Sequence, residues 1–118
     1  VRVALILLLS AWLMGCAATS SAPVPRGVPL AVSSQVAQAA VLDLLAERGY
    51  VIRHADAELG RVDAVLARWP GYRVRATVTP DGSGSRATLS ATWGGRPLPP
   101  DRLDPLLSEL EARLAAEP

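Results

Sequence analysis

The chain opens on an apolar run: Arg2 is followed by Val3 to Leu9 without a polar residue, and after Ser10 the run resumes through Ala11, Trp12, Leu13 and Met14. About a dozen residues span under ~20 Å as a helix, short of the ~30 Å hydrocarbon core of a bilayer. A basic residue, a short apolar run and a small residue at its end have instead the layout of a secretory signal. From Ala17 to Val32 no helical or strand period runs through the Ala, Ser, Thr, Pro and Gly residues, and Pro23, Pro25 and Pro29 oppose a helix. This composition predicts a tether over residues 16–32, with a coil end-to-end distance of roughly 20 Å. Such a tether holds a domain near a membrane without requiring contact.

Helical periodicity begins at Ser33 or Ser34, either of which suits an N-cap, and runs to about Arg48. Ala37, Val41, Leu44 and Leu45 form the apolar stripe, Gln35, Asp43 and Glu47 lie away from it, and Gly49 stands where a left-handed C-terminal cap belongs. Period-2 patterns follow. Tyr50, Ile52 and His54 alternate with Val51, Arg53 and Ala55, and Val62, Ala64 and Leu66 with Arg61, Asp63, Val65 and Ala67. Tyr72, Val74, Ala76 and Val78 alternate with arginines and threonines, as do Ala87, Leu89, Ala91 and Trp93 with Arg86, Thr88, Ser90 and Thr92. Clean alternation is the mark of a sheet with one wet face.

Turn chemistry predicts the registers. A three-residue Trp69-Pro70-Gly71 loop pairs Leu66 with Val74 and Val62 with Val78, apolar on apolar. Pro80 to Ser85 places Val78 beside Ala87 and Tyr72 beside Trp93, and Asp56 to Gly60 places His54 beside Val62. After a Gly- and Pro-rich connector, Leu103, Leu106, Leu107, Leu110 and Leu114 stripe a last helix, which starts at Asp104 because Pro105 is tolerated only in a first turn. The expected fold is α+β, α-β-β-β-β-α: a four-stranded antiparallel meander with two helices on one face. The domain plan is a signal over 1–15, a modified Cys16 and tether to 32, and one domain over 33–118.

Composition narrows the function. All twelve basic residues are Arg, against eleven acids, for a net charge of +1 in 118 residues. Removing residues 1–15 takes away Arg2 and leaves a formally neutral chain, so neither a polybasic nucleic-acid binder nor an acidic tail is expected. One Cys and one His exclude a disulfide framework and a Cys/His zinc site within one chain. No metal and no cofactor are expected.

Candidate chemistry is sparse. His54 lacks a Cys nucleophile in the domain, and its nearby carboxylates, Asp56 and Glu58, lie in the adjacent turn; it reads as a sheet-edge residue at the rim of the core, with no catalytic residue assigned. Asp56, Glu58 and Asp63 lack the spacing of a calcium loop. Asp81-Gly82-Ser83-Gly84-Ser85 joins two strands, whereas a phosphate loop precedes a helix. Arg61, Arg73, Arg75 and Arg86 project from the face away from the helices among Thr77, Thr79, Thr88, Ser90 and Thr92, opposed by Asp63. Together with Trp69 at a loop tip they form the candidate partner surface, whose alternative is a solvated sheet exterior. Trp93 falls in the inward phase and is expected in the core. Trp69 is either an exposed anchor or a staple over the sheet end.

Leu13-Met14-Gly15-Cys16 resembles the lipobox of bacterial lipoproteins. The resemblance implies cleavage between Gly15 and Cys16, lipidation of the Cys16 thiol with palmitate-type chains, and a membrane partnership through that anchor. Two or three acyl chains give lasting attachment where one does not. Ala17, not being Asp, implies carriage to the outer membrane, facing the periplasm, if the source is Gram-negative. The run Gly49-Tyr50-Val51-Ile52-Arg53-His54-Ala55-Asp56 with Gly60-Arg61-Val62-Asp63-Ala64, over roughly residues 34–66, is similar to domains of accessory lipoproteins of the outer-membrane barrel-assembly machine. What that implies is a non-catalytic scaffold or accessory role with an envelope protein partner. The alternative is a module that holds a small apolar or lipid ligand between helices and sheet.

Overall fold

The computed structural model describes residues 1–11, 22–69 and 71–116. Leu13 to Cys16, including the expected cleavage and lipidation positions Gly15 and Cys16, lie outside the described residues, as does Pro70. The elements in chain order are α1 (Arg2–Ala11), β1 (Arg26–Leu30), α2 (Ser34–Glu47), β2 (Val51–Asp56), β3 (Arg61–Leu66), β4 (Tyr72–Asp81), β5 (Gly84–Trp93), β6 (Arg96–Pro97), a 3₁₀ turn (Pro100–Leu103) and α3 (Asp104–Ala116). Among the described residues no helix is long and apolar enough to cross a membrane.

The protein is α+β with an antiparallel sheet, ordered β1-β5-β4-β3-β2, with β6 pairing the end of β5. Ser33 caps α2 by accepting from the Val36 amide at 3.4 Å, and Gly49 ends the helix with φ 86°. The stripe Ala37, Ala40, Val41, Leu44 and Leu45 is buried, and it meets the inward sheet positions and Leu103, Leu107, Leu110 and Leu114 in one core. Sheet centres are small: Ala64, Ala76, Ala87 and Ala91 are at most 2% exposed, which lets the helices approach closely. Arg48 pairs with Glu109, and Arg113 with Glu47, across the two helices.

The sheet is larger than the expected four strands, and the largest correction falls on the tether. Arg26 to Leu30, expected as its last part, is β1, paired with β5 from Arg26 opposite Leu89 to Leu30 opposite Ser85. Pro29 is tolerated because β1 is an edge strand with one flank unpaired. Leu30 joins the core at 9% exposure, and the buried Ser85 hydroxyl donates to the Val32 carbonyl at 2.8 Å. Arg26 reaches Asp104 at the start of α3.

Two registers also differ from expectation. β3 and β4 pair Leu66 with Tyr72 and Val62 with Ala76, two residues from the predicted match, so residues 67–71 form the connection. A shift of two preserves the facing of every side chain, which is why the hydrophobic pattern could not distinguish the two. In β2 a bulge between Ile52 and His54 moves His54 from Val62 to Asp63, onto the outer face, where it is exposed. The β4–β5 register agrees with the prediction, with Val78 opposite Ala87 and Tyr72 opposite Trp93. Gly82 (φ 58°) opens its two-residue turn, as a type II′ turn requires.

Candidate binding surfaces

The alternation that buries Val62, Ala64, Val74 and Ala76 turns Arg61, Asp63, Arg73 and Arg75 to the opposite side. Asp63 lies directly across from Arg75 and two residues from Arg61. It accepts from Arg75 Nε at 2.7 Å and Arg61 Nε at 3.1 Å. Its partial burial works to raise the carboxyl pKa, but the two guanidiniums outweigh this and hold it below its ordinary value. Two of the four candidate arginines are therefore tied to one carboxylate.

Arg73, Arg86 and the bulge residue Arg53 form no ion pair among the described residues. Arg86 lies across Gly27 of β1, where an added Cβ would stand 3.1 Å from its guanidinium. A shallow cleft of about 450 Å³ runs over this face between Arg53, Arg73, Arg75, Ser90 and Thr92, with Pro23 along one side. It offers guanidiniums and hydroxyls to an anionic surface. The expectation that the candidate arginines share one face is met, and Arg53 is an addition. The bulge that places Arg53 beside Arg73 has no mark in the alternation of β2.

A second surface closes one end of the sheet. Tyr50, Trp69, Tyr72 and Trp93 line a cleft of about 390 Å³ there, beside Leu66, Leu98, Arg68 and Arg102. Tyr50 and Tyr72 meet edge to face at 5.9 Å, and burial, then the Tyr72 phenol, push the Tyr50 hydroxyl well above its ordinary pKa. The Gly94 amide donates to the Gly71 carbonyl at 2.7 Å, locking the β3–β4 loop to the end of β5. Trp69 is 94% exposed and so is not a staple over the sheet end. Trp93, expected in the core, is 52% exposed. Its inward phase is right, but the sheet outruns the helices there: α2 has ended at Glu47 and the chain returns only at the 3₁₀ turn. Sequence reasoning paired Tyr72 with Trp93 but did not bring Tyr50 and Trp69 to them, because these come from separate loops.

The remaining candidates are structural. The Asp56 carboxylate accepts from the Glu58 and Leu59 amides at 2.9 and 3.0 Å, closing its own turn. Buried Gln38 donates to the Asp56 carbonyl at 3.0 Å and ties α2 to that turn. Gly60 (φ 65°) lets the backbones of the β2–β3 turn and β4 touch, and its carbonyl accepts from the Val78 amide at 2.7 Å. Among the described residues no cluster of His, Cys, Asp and Glu could hold a metal ion. Comparison with known protein families and with curated proteins returned no match to this chain.

Proposed function

We propose that this chain is a bacterial lipoprotein, cleaved after Gly15 and acylated on Cys16, whose α+β domain is a non-catalytic accessory or scaffold module of the cell envelope. In a Gram-negative source it stands on the outer membrane facing the periplasm. The lipobox Leu13-Met14-Gly15-Cys16 supports the anchor. The observation that carries the binding role is the outer sheet face, where Arg53, Arg73 and Arg86 stand without ion pairs among the described residues, beside hydroxyls spaced to receive an acidic protein surface. A catalytic role draws no support from His54, which is exposed and whose cross-strand carboxylate, Asp63, is held by two arginines.

Mass spectrometry of the native protein tests the anchor: a mature N-terminal Cys16 without acyl chains refutes it. The binding face is tested by photo-crosslinking in cells from positions 73 and 86, with exposed Ala112 on α3 as control. Discrete adducts from 73 and 86 that weaken in Arg53→Glu support the face; equal labelling from 112 removes it. A second reading, a carrier of a small apolar ligand, is favoured by the aromatic cleft. The interior is closed, with Ala37, Val62, Ala76 and Ala87 fully buried. A lipid retained in the native mass spectrum and lost in Tyr50→Ala would favour it.

A further inference from the structure

The two ends of the sheet are not equivalent with respect to the N-terminus. β1 enters at Arg26 opposite Leu89 and runs away from Trp93 to Leu30 opposite Ser85. The preceding chain therefore arrives from the end that carries the aromatics. Pro23 lies on the outer face against Ser90, Ala91 and Thr92, within one to three residues of Trp93, or roughly 3–10 Å along the strand. From Cys16 to Pro23 the chain reaches no further than about 25 Å even when fully extended. An anchor at Cys16 thus leaves no room for the domain to stand far from the lipid, and the aromatic end is the one it draws inward.

That end has the composition of an interfacial surface. Trp69 and Trp93 are exposed by 94% and 52%, and two tyrosines stand behind them. Indole and phenol rings favour the headgroup layer, where an apolar body meets a polar rim. Arg68, Arg96 and Arg102 are exposed and form no ion pair among the described residues, while Arg48 is neutralised by Glu109. Exposed Asp101 is the opposing charge beside Arg102. The end is therefore net cationic on a mature chain that is neutral overall.

We propose that the Tyr50–Trp69–Tyr72–Trp93 end is a membrane seat, which rests on an anionic phospholipid headgroup layer and orients the domain. The strands then stand across the membrane plane, with the arginine face turned sideways and free for a protein partner. This inference rests on the reading of Cys16 as the anchor.

The test supplies the anchor chemically. Cys16 is the one cysteine of the chain, so residues 16–118 couple at a single point to a maleimide headgroup lipid in vesicles. Trp69 and Trp93 are the tryptophans of that segment and report directly. In vesicles containing phosphatidylglycerol, the expected result is a blue-shifted emission quenched by brominated acyl chains. Both signals should fall in phosphatidylcholine vesicles and at ~0.5 M salt. Each arginine near an anionic surface is worth about fivefold, so Arg68→Ser with Arg102→Ser should lower the ratio of seated to free domain roughly 25-fold. Trp69→Phe should remove most of the quenching, and all three sites are exposed, so the fold survives the changes. Emission indistinguishable from that of the uncoupled protein overturns the seat, as does quenching indifferent to lipid charge or to these variants. Because coupling replaces lipidation, such a failure is separate from failure of the lipoprotein reading, which the mass of native Cys16 decides.

Discussion

Leu30→Ala separates a tether that ends at Pro25 from one that ends at Val32. Leu30 is 9% exposed and packs into the core shared by α2, α3 and the sheet. Truncating a buried leucine costs about 2–5 kcal/mol, the lost transfer energy plus the cavity left behind. Leu30 sits at the margin of the core on an edge strand, where neighbours relax into the gap, so about 2–3 kcal/mol is expected. A domain of this size has about 5–10 kcal/mol of stability, so this is a large fraction. Residues 22–118 suit the measurement, because among the described residues every buried member of the core lies at or beyond Leu30. Urea unfolding followed by circular dichroism, with a slope near 1 kcal/mol per M, should show the midpoint falling by about 2 M at unchanged slope. Val24→Ala is the control, since Val24 is 59% exposed and should leave the midpoint in place. If Leu30→Ala shifts the midpoint by less than about 0.3 M, β1 contributes nothing to the domain and the short-tether argument for a membrane seat goes with it.

Gly60→Ala should cost at least ~2 kcal/mol in the same assay, because the position needs φ 65° and an added Cβ would stand 1.9 Å from the Val78 carbonyl. Wild-type melting temperature would contradict that close approach. Asp63 titrates below its ordinary value in the fold, so its contribution is present above the unfolded carboxylate pKa and is lost as pH falls through the folded one. Asp63→Asn should therefore lower stability at neutral and alkaline pH, change little where the carboxylate is already protonated, and so flatten the acid limb of the stability profile; an unchanged acid limb would count against the Arg61–Asp63–Arg75 cluster. Ser85→Ala should destabilise by about 1 kcal/mol through the lost bond to the Val32 carbonyl, read as earlier amide exchange in β1 than in β4.

The proposed membrane seat and the proposed partner face use different sides of one sheet, and the topology relates them. On that proposal the bilayer would take the end where the chain enters, and the arginine face would lie perpendicular to it. An accessory module held this way would meet neighbouring envelope proteins laterally, in one orientation. That differs from a domain swinging freely on a long tether, whose faces are presented in turn.

The local elements were legible in the residues themselves. Ser33 and Gly49 marked the ends of α2, the leucine stripe and Pro105 placed α3, and alternation separated the arginines from the core in β3, β4 and β5. Those signals are local: a cap, a fixed φ or a period depends on residues a few positions apart. What the sequence did not disclose was non-local. β1 carries a proline, and only the unpaired flank of an edge strand makes it admissible. The β3–β4 register could slide by two without exposing an apolar side chain, and the β2 bulge leaves the alternation of its neighbours intact. The aromatic end needed three loops and strand ends to meet beyond the reach of α2. So the sequence by itself determined α2 and α3 and the buried and wet faces of β3, β4 and β5. The tertiary structure decided where the chain enters the sheet and what stands beside that point, because pairing energy depends on partners that lie some sixty residues apart, as Arg26 and Leu89 do.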